Sequence, residues 1–121
     1  MAMDAGVSMS QVTLSSDSNG SMPIFDQQGK LIKLAVGDIR NLCLEWKGLV
    51  AEGFSLEDTL RMVTLNPAKR VGIDQRKGSL EEGRDADFSI LSDDLKLESL
   101  MAKGQWMIRG GEILRKGTFE G

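Results

Sequence analysis

Val12-Thr13-Leu14-Ser15-Ser16-Asp17-Ser18-Asn19-Gly20-Ser21 is the stretch on which the fold reading turns. A short apolar, β-prone run stops at an aspartate, and small turn-forming residues follow at once. A carboxylate at the C-terminal tip of a strand is where parallel α/β enzymes place metal ligands and general bases. Residues 12–14 are therefore expected to form a strand, with Asp17 at its tip. Aspartate is also a common turn and N-cap residue, so these ten residues alone leave both readings of Asp17 open.

The chain holds no histidine and one cysteine. A histidine-paired serine or cysteine triad cannot be built from it, nor can a zinc site of histidines and cysteines. Cys43 lies among apolar residues at helical spacing and is expected to be a small buried hydrophobe. Fifteen basic residues against eighteen acidic ones give a net charge of −3. Nucleic acid and anionic membranes, which select concentrated basic patches, are not expected partners. No apolar run reaches the length of a membrane span, and no basic cluster leads into an apolar stretch near residue 1, so a cytoplasmic location is expected.

Outward from the opening stretch, residues 2–9 read as a helix end at Gly6 followed by a loop. Residues 23–25 and 31–34 flank Asp26-Gln27-Gln28-Gly29 as a small hairpin. Residues 36–51 carry Val36, Ile39, Leu42, Cys43, Trp46, Leu49 and Val50 at the three-four spacing of a core-facing helix. Ser55 with Asp58 three residues on predicts a helix start, with Leu56, Leu60 and Val63 turned inward. Asn66-Pro67 predicts a further helix capped by Asn66 and closed at Gly72. The period then changes. Residues 86–91 alternate as a strand, 97–103 form a weaker one, and Gly110-Gly111 joins 105–109 to 112–115 as a hairpin. Asp85 and Asp87 are expected to be turn and strand-face residues, since too few other ligands accompany them for a metal site.

Ser15-Ser16-Asp17-Ser18-Asn19-Gly20-Ser21 resembles the last barrel strand and following loop of the isoaspartyl (β-aspartyl) dipeptidases of the amidohydrolase superfamily. Gly78 followed by Gly83-Arg84-Asp85-Ala86-Asp87 resembles the wider superfamily's passage into its C-terminal β domain. Asn66-Pro67-Ala68 fits the preceding helix, and Lys116-Gly117-Thr118-Phe119-Glu120 is similar to the dipeptidases' terminus. The resemblance implies the α/β class: the C-terminal end of a (β/α)₈ barrel over residues 1–72, and part of the small β domain over 73–121.

The resemblance further implies a zinc-dependent hydrolase of β-aspartyl dipeptides. Asp17 takes the place of the family's aspartate that binds metal, accepts a proton from the attacking water and passes it to the leaving amine. Ser21 takes the place of the serine that contacts substrate. The family's histidines, bridging lysine and other substrate-holding residues lie on strands that this sequence does not contain. The expectation is a C-terminal part that is inactive alone and does not bind zinc tightly. One alternative is a complementing subunit of a split amidohydrolase, in which an upstream chain supplies the rest of the barrel and a small dipeptide is the substrate. The other is a stand-alone structural or interaction module; self-association is expected in each case.

Overall fold

A computed structural model describes residues 5–18 and 20–117. The chain divides into two compact units, residues 1–63 and 64–121. The helix end expected over residues 2–9 falls partly outside the described residues. Within its described part, Gly6 lies in a turn with φ +78°, and Met9–Gln11 form one 3₁₀ turn.

In the first unit the expected strand at residues 12–14 does not form. The chain there is unpaired by any sheet, and it is anchored to a helix through the Leu14 N–H, which donates to the Met62 carbonyl at 3.1 Å. An extended segment becomes a strand only when a neighbour accepts its hydrogen bonds, and no described residue lies beside it as a parallel strand. The hairpin does form. Strands β1 (Ser21–Phe25) and β2 (Leu31–Val36) pair antiparallel from Ser21↔Val36 to Phe25↔Leu31. Its turn is organised by Asp26, whose Oδ1 accepts from the Gln28 and Lys30 N–H groups at 2.9 and 2.8 Å.

Helix α1 (Asn41–Ala51) begins five residues later than the apolar spacing predicts. Val36 belongs to β2, and Asp38 diverts the backbone. Its carboxylate accepts the Arg40 N–H at 2.8 Å and the Arg40 guanidinium at 2.5 Å, a local alternative to helical bonding. The Arg40 side chain and then its N–H hold the Asp38 carboxyl down to about 2. Cys43 is exposed, not buried as its apolar setting predicts, because the face of α1 that packs inward is the one bearing Trp46.

Helix α2 (Leu56–Val63) starts as expected, with Ser55 Oγ accepting from the Asp58 N–H at 3.3 Å. Its buried side chains are Thr59 and Met62, while Leu56 is exposed. The two helices meet through a polar bond. The Trp46 indole N–H donates to Thr59 Oγ1 at 3.1 Å, and the Thr59 hydroxyl donates to the Leu56 carbonyl at 3.1 Å. Thr59 is fully buried, so both groups depend on this pairing.

In the second unit, α3 (Leu65–Val71) begins from Thr64 at its N-cap position, two residues before the expected Asn66, and closes at the left-handed Gly72. Asn66 is buried inside the first turn, where Pro67 is tolerated because its missing N–H has no intrahelical acceptor. Gly78 lies directly against this helix: a Cβ there would stand 2.8 Å from Ala68 Cβ and 3.1 Å from Leu65 Cα. Strands β3 (Phe88–Leu91), β4 (Leu97–Ala102), β5 (Gln105–Arg109) and β6 (Glu112–Ile113) follow as an antiparallel meander. The Gly110-Gly111 hairpin forms with φ +57° and +83°, the double positive φ that a type I′ turn requires. Phe88, Met101 and Trp106 align across three strands, with the two rings edge-on at 5.7 Å and the Arg109 guanidinium 5.2 Å from the Trp106 ring centroid.

Asp85 and Asp87 are held by one cation. Lys77 Nζ pairs with Asp85 Oδ2 at 2.8 Å and with Asp87 Oδ2, while Asp87 Oδ1 accepts the Lys103 N–H at 2.6 Å. The pair thus serves the turn and strand-face role expected of it, tying the loop before β3 to the β4–β5 turn. Hydrogen bonds to Asp85 and then Asp87 raise the Lys77 ammonium above the usual lysine range. The Lys77 ammonium, then the Lys103 N–H, lower the Asp87 carboxyl.

Replacing Thr59 by Val keeps its shape but leaves the Trp46 indole N–H buried without an acceptor. The expected cost is about 1–3 kcal/mol in urea unfolding; a cost near zero would show the indole satisfied elsewhere. The Lys77 cluster sets a pH window. The lowered Asp87 contributes stability above its unfolded value of about 3.9, lost as pH falls further, and the raised Lys77 contributes below about 10.4, lost as pH rises beyond it. Lys77→Met should therefore weaken the second unit at pH 7, with the gap to the native chain closing below pH ~4. A gap that persists unchanged at low pH would contradict the ion-pair account.

Candidate functional site

Asp17 sits in a turn built almost wholly from backbone. Its φ is +49°, a left-handed conformation that aspartate tolerates better than most residues. The turn closes with the Gly20 N–H donating to the Asp17 carbonyl at 2.9 Å. The preceding serines support it: the Asp17 N–H donates to Ser15 Oγ at 3.4 Å and the Ser18 N–H to Ser16 Oγ at 3.2 Å. The Gly37 N–H, just past β2, donates to the Gly20 carbonyl at 2.9 Å. The root of the hairpin is thereby tied to the Asp17 turn.

Two glycines enclose the aspartate. A Cβ on Gly20 would lie 2.6 and 2.8 Å from the two Asp17 carboxylate oxygens. A Cβ on buried Gly37 would lie 3.0 Å from the Asp17 carbonyl carbon and inside the contact radius of its oxygen. The Asp17 side chain is otherwise exposed. Ser21 opens β1 opposite Val36 and is also exposed, so the structure places it four residues beyond Asp17 at the hairpin root. Asn19 lies outside the described residues, as do Thr118, Phe119 and Glu120 of the terminal motif. Gly37 was not legible as a site residue, because it is twenty positions from Asp17 and nothing in its local sequence marks it.

The donor set is small. Among the described residues no three histidine, cysteine, aspartate or glutamate side chains gather in a way that could hold a metal ion. Asp17 offers one carboxylate, whereas catalytic zinc sites draw on about three protein ligands. That carboxylate by itself could fill one position of such a set and does not make a metal site. Asp85 and Asp87 add nothing to it, since both are engaged by Lys77.

Among solved structures, the chain is similar to β-aspartyl dipeptidase from Fervidobacterium islandicum AW-1 in complex with β-Asp-Leu dipeptide. That match has a TM-score of 0.78 at 28% identity, over 97% of this chain and 31% of that one. N-acetylglucosamine-6-phosphate deacetylase from Pasteurella multocida shares the fold, with a TM-score of 0.64 at 24% identity over 86% of this chain and 32% of that one. Among curated sequences, N-acetylglucosamine-6-phosphate deacetylase of Bos taurus is 39% identical over 62 residues, which are 50% of this chain and 15% of the relative. Allantoinase of Streptomyces avermitilis is 45% identical over 49 residues, 40% of this chain and 11% of the relative. The chain thus spans less than a third of the length of these proteins. The model of the amidohydrolase family, whose members are generally metal-dependent, matches residues 1–107, and the chain belongs to that family.

Proposed function

We propose that this chain is the C-terminal part of a zinc-dependent peptidase that hydrolyses β-aspartyl dipeptides, and that it acts only together with the rest of the barrel, which supplies the remaining ligands. The observation that carries this reading is the likeness to the Fervidobacterium dipeptidase over 97% of the chain. The deacetylase sequences match more closely, but over half of the chain only. N-acetylglucosamine-6-phosphate is therefore the second substrate to try.

In this reading Asp17 occupies one coordination position and accepts a proton from the attacking water, then delivers it to the leaving amine. An exposed carboxylate is an acceptor suited to that exchange. A bound metal ion would lower the pKa of water at the site. Ser21, a hydroxyl donor close in sequence, contacts the substrate carboxylate. The need for the rest of the barrel is supported by the hairpin. Ile32, Leu34 and Val36 share one face of β2 and are 61%, 64% and 70% exposed, a contiguous apolar surface of the kind that marks interaction sites. No helix among the described residues is long and apolar enough to cross a membrane.

The test pairs the chain with a polypeptide carrying an amidohydrolase barrel start, adds zinc, and measures turnover of a β-aspartyl dipeptide. Turnover by the pair and by neither part alone is expected; turnover by this chain alone would contradict the reading. In the pair, Asp17→Asn should lower kcat about 10²–10⁴-fold. Ser21→Ala should raise KM by roughly tenfold, the loss of one hydrogen bond to a charged group. By itself the chain should release zinc on dialysis, and stoichiometric retention would show that its ligands are more numerous than Asp17.

A further inference from the structure

We infer that Gly20 and Gly37 are positioning residues for Asp17, one setting the direction of its carboxylate and the other the path of its backbone. The inference rests on the reading of Asp17 as the reacting carboxylate, and it divides a single turn into two separable controls. Neither glycine has a positive φ. Glycine is required at both positions for space, not for backbone freedom, which distinguishes them from Gly29, Gly53 or Gly72.

The two contacts differ in what they touch. At Gly20 the atoms that would meet a Cβ are the Asp17 carboxylate carbon and both its oxygens, at 2.6–2.8 Å. A carboxylate can turn about χ1, so a methyl there evicts the side chain from its present rotamer and leaves the backbone standing. At Gly37 the atoms met are the Asp17 carbonyl group and the Ser16 carbonyl oxygen, the latter at 3.6 Å. Main chain cannot swing aside, so a methyl there must push the Asp17 turn away from the hairpin. That displacement strains both bonds of the ladder, Gly20 N–H to Asp17 carbonyl and Gly37 N–H to Gly20 carbonyl. The hairpin acquires a role from this. Its pairing of Ser21 with Val36 fixes Gly20 beside Gly37, and the two together fix the aspartate.

The experiment compares Gly20→Ala, Gly37→Ala and a control, Gly48→Ala, whose methyl would meet nothing within 4 Å. Thermal unfolding is followed through the amide signals of β1, β2 and α1, and Asp17 through its χ1 couplings and carboxyl carbon shift. Gly20→Ala should leave Tm nearly unchanged while altering the Asp17 χ1 population and carboxyl shift. Gly37→Ala should lower Tm by on the order of 5 °C and move the Asp17 backbone shifts. Gly48→Ala should leave every Asp17 signal in place. In the complemented enzyme, Gly20→Ala should reduce kcat about 10²-fold with little change in KM, the cost of a misplaced group. Asp17 signals that are identical in Gly20→Ala and the native chain would overturn the inference; if Gly37→Ala does not fold, Gly20→Ala decides alone. Should Gly20→Ala redirect the carboxylate while Asp17→Asn leaves turnover intact, the positioning stands and the functional reading of Asp17 falls.

Discussion

Gly20 lies against the Asp17 carboxylate and Gly37 against the Asp17 main-chain carbonyl, each too closely for a side chain of its own, and the root of the hairpin is arranged around that approach. Two backbone hydrogen bonds of 2.9 Å hold it, from Gly20 to Asp17 and from Gly37 to Gly20. Everything distal follows from the ladder: β1 leaves it at Ser21, β2 returns to it at Val36, and α1 begins a few residues later. An exposed aspartate at positive φ would be an unremarkable turn residue by itself. With Gly20 against its carboxylate and Gly37 against its carbonyl, it becomes a carboxylate whose setting two glycines constrain, as a ligand or proton acceptor needs.

Local signals were legible where local chemistry alone decides the outcome. Ser55 announces α2 because its hydroxyl bonds the Asp58 N–H regardless of what surrounds it. Gly110-Gly111 announces its hairpin because both positions need positive φ. Signals that depend on partners were misleading. The apolar run at 12–14 has strand composition, but composition cannot provide the neighbouring strand that makes it one. Val36 and Ile39 continue the apolar spacing of α1 backwards, yet Asp38 captures Arg40 and delays the helix to Asn41. Cys43 fits the helical period but not the buried face. At the candidate site Asp17 and Ser21 could be singled out from the sequence, whereas the close approach of Gly37 is visible only in three dimensions.

Each unit carries interactions of its own. In the second, the Phe88–Trp106 contact, the Lys77 ion pairs and the buried Ser99 hydroxyl accepting the Gly110 N–H at 3.0 Å all lie within it. The first has a small buried centre in Trp46, Thr59 and Met62, and a hairpin with exposed apolar side chains. An amidohydrolase segment without histidine but with an exposed aspartate in a turn is chemically coherent, on the proposed reading, as a contributor of one ligand. It is not coherent as a metal site in its own right.

The central claim is that Asp17 is a metal ligand of a site completed by the rest of the barrel. The most direct test is the zinc anomalous signal in a crystal of this chain together with a polypeptide that carries that part. The account predicts a zinc ion with an Asp17 carboxylate oxygen at about 2.0–2.2 Å. A zinc ion whose coordination is complete without Asp17 would contradict it.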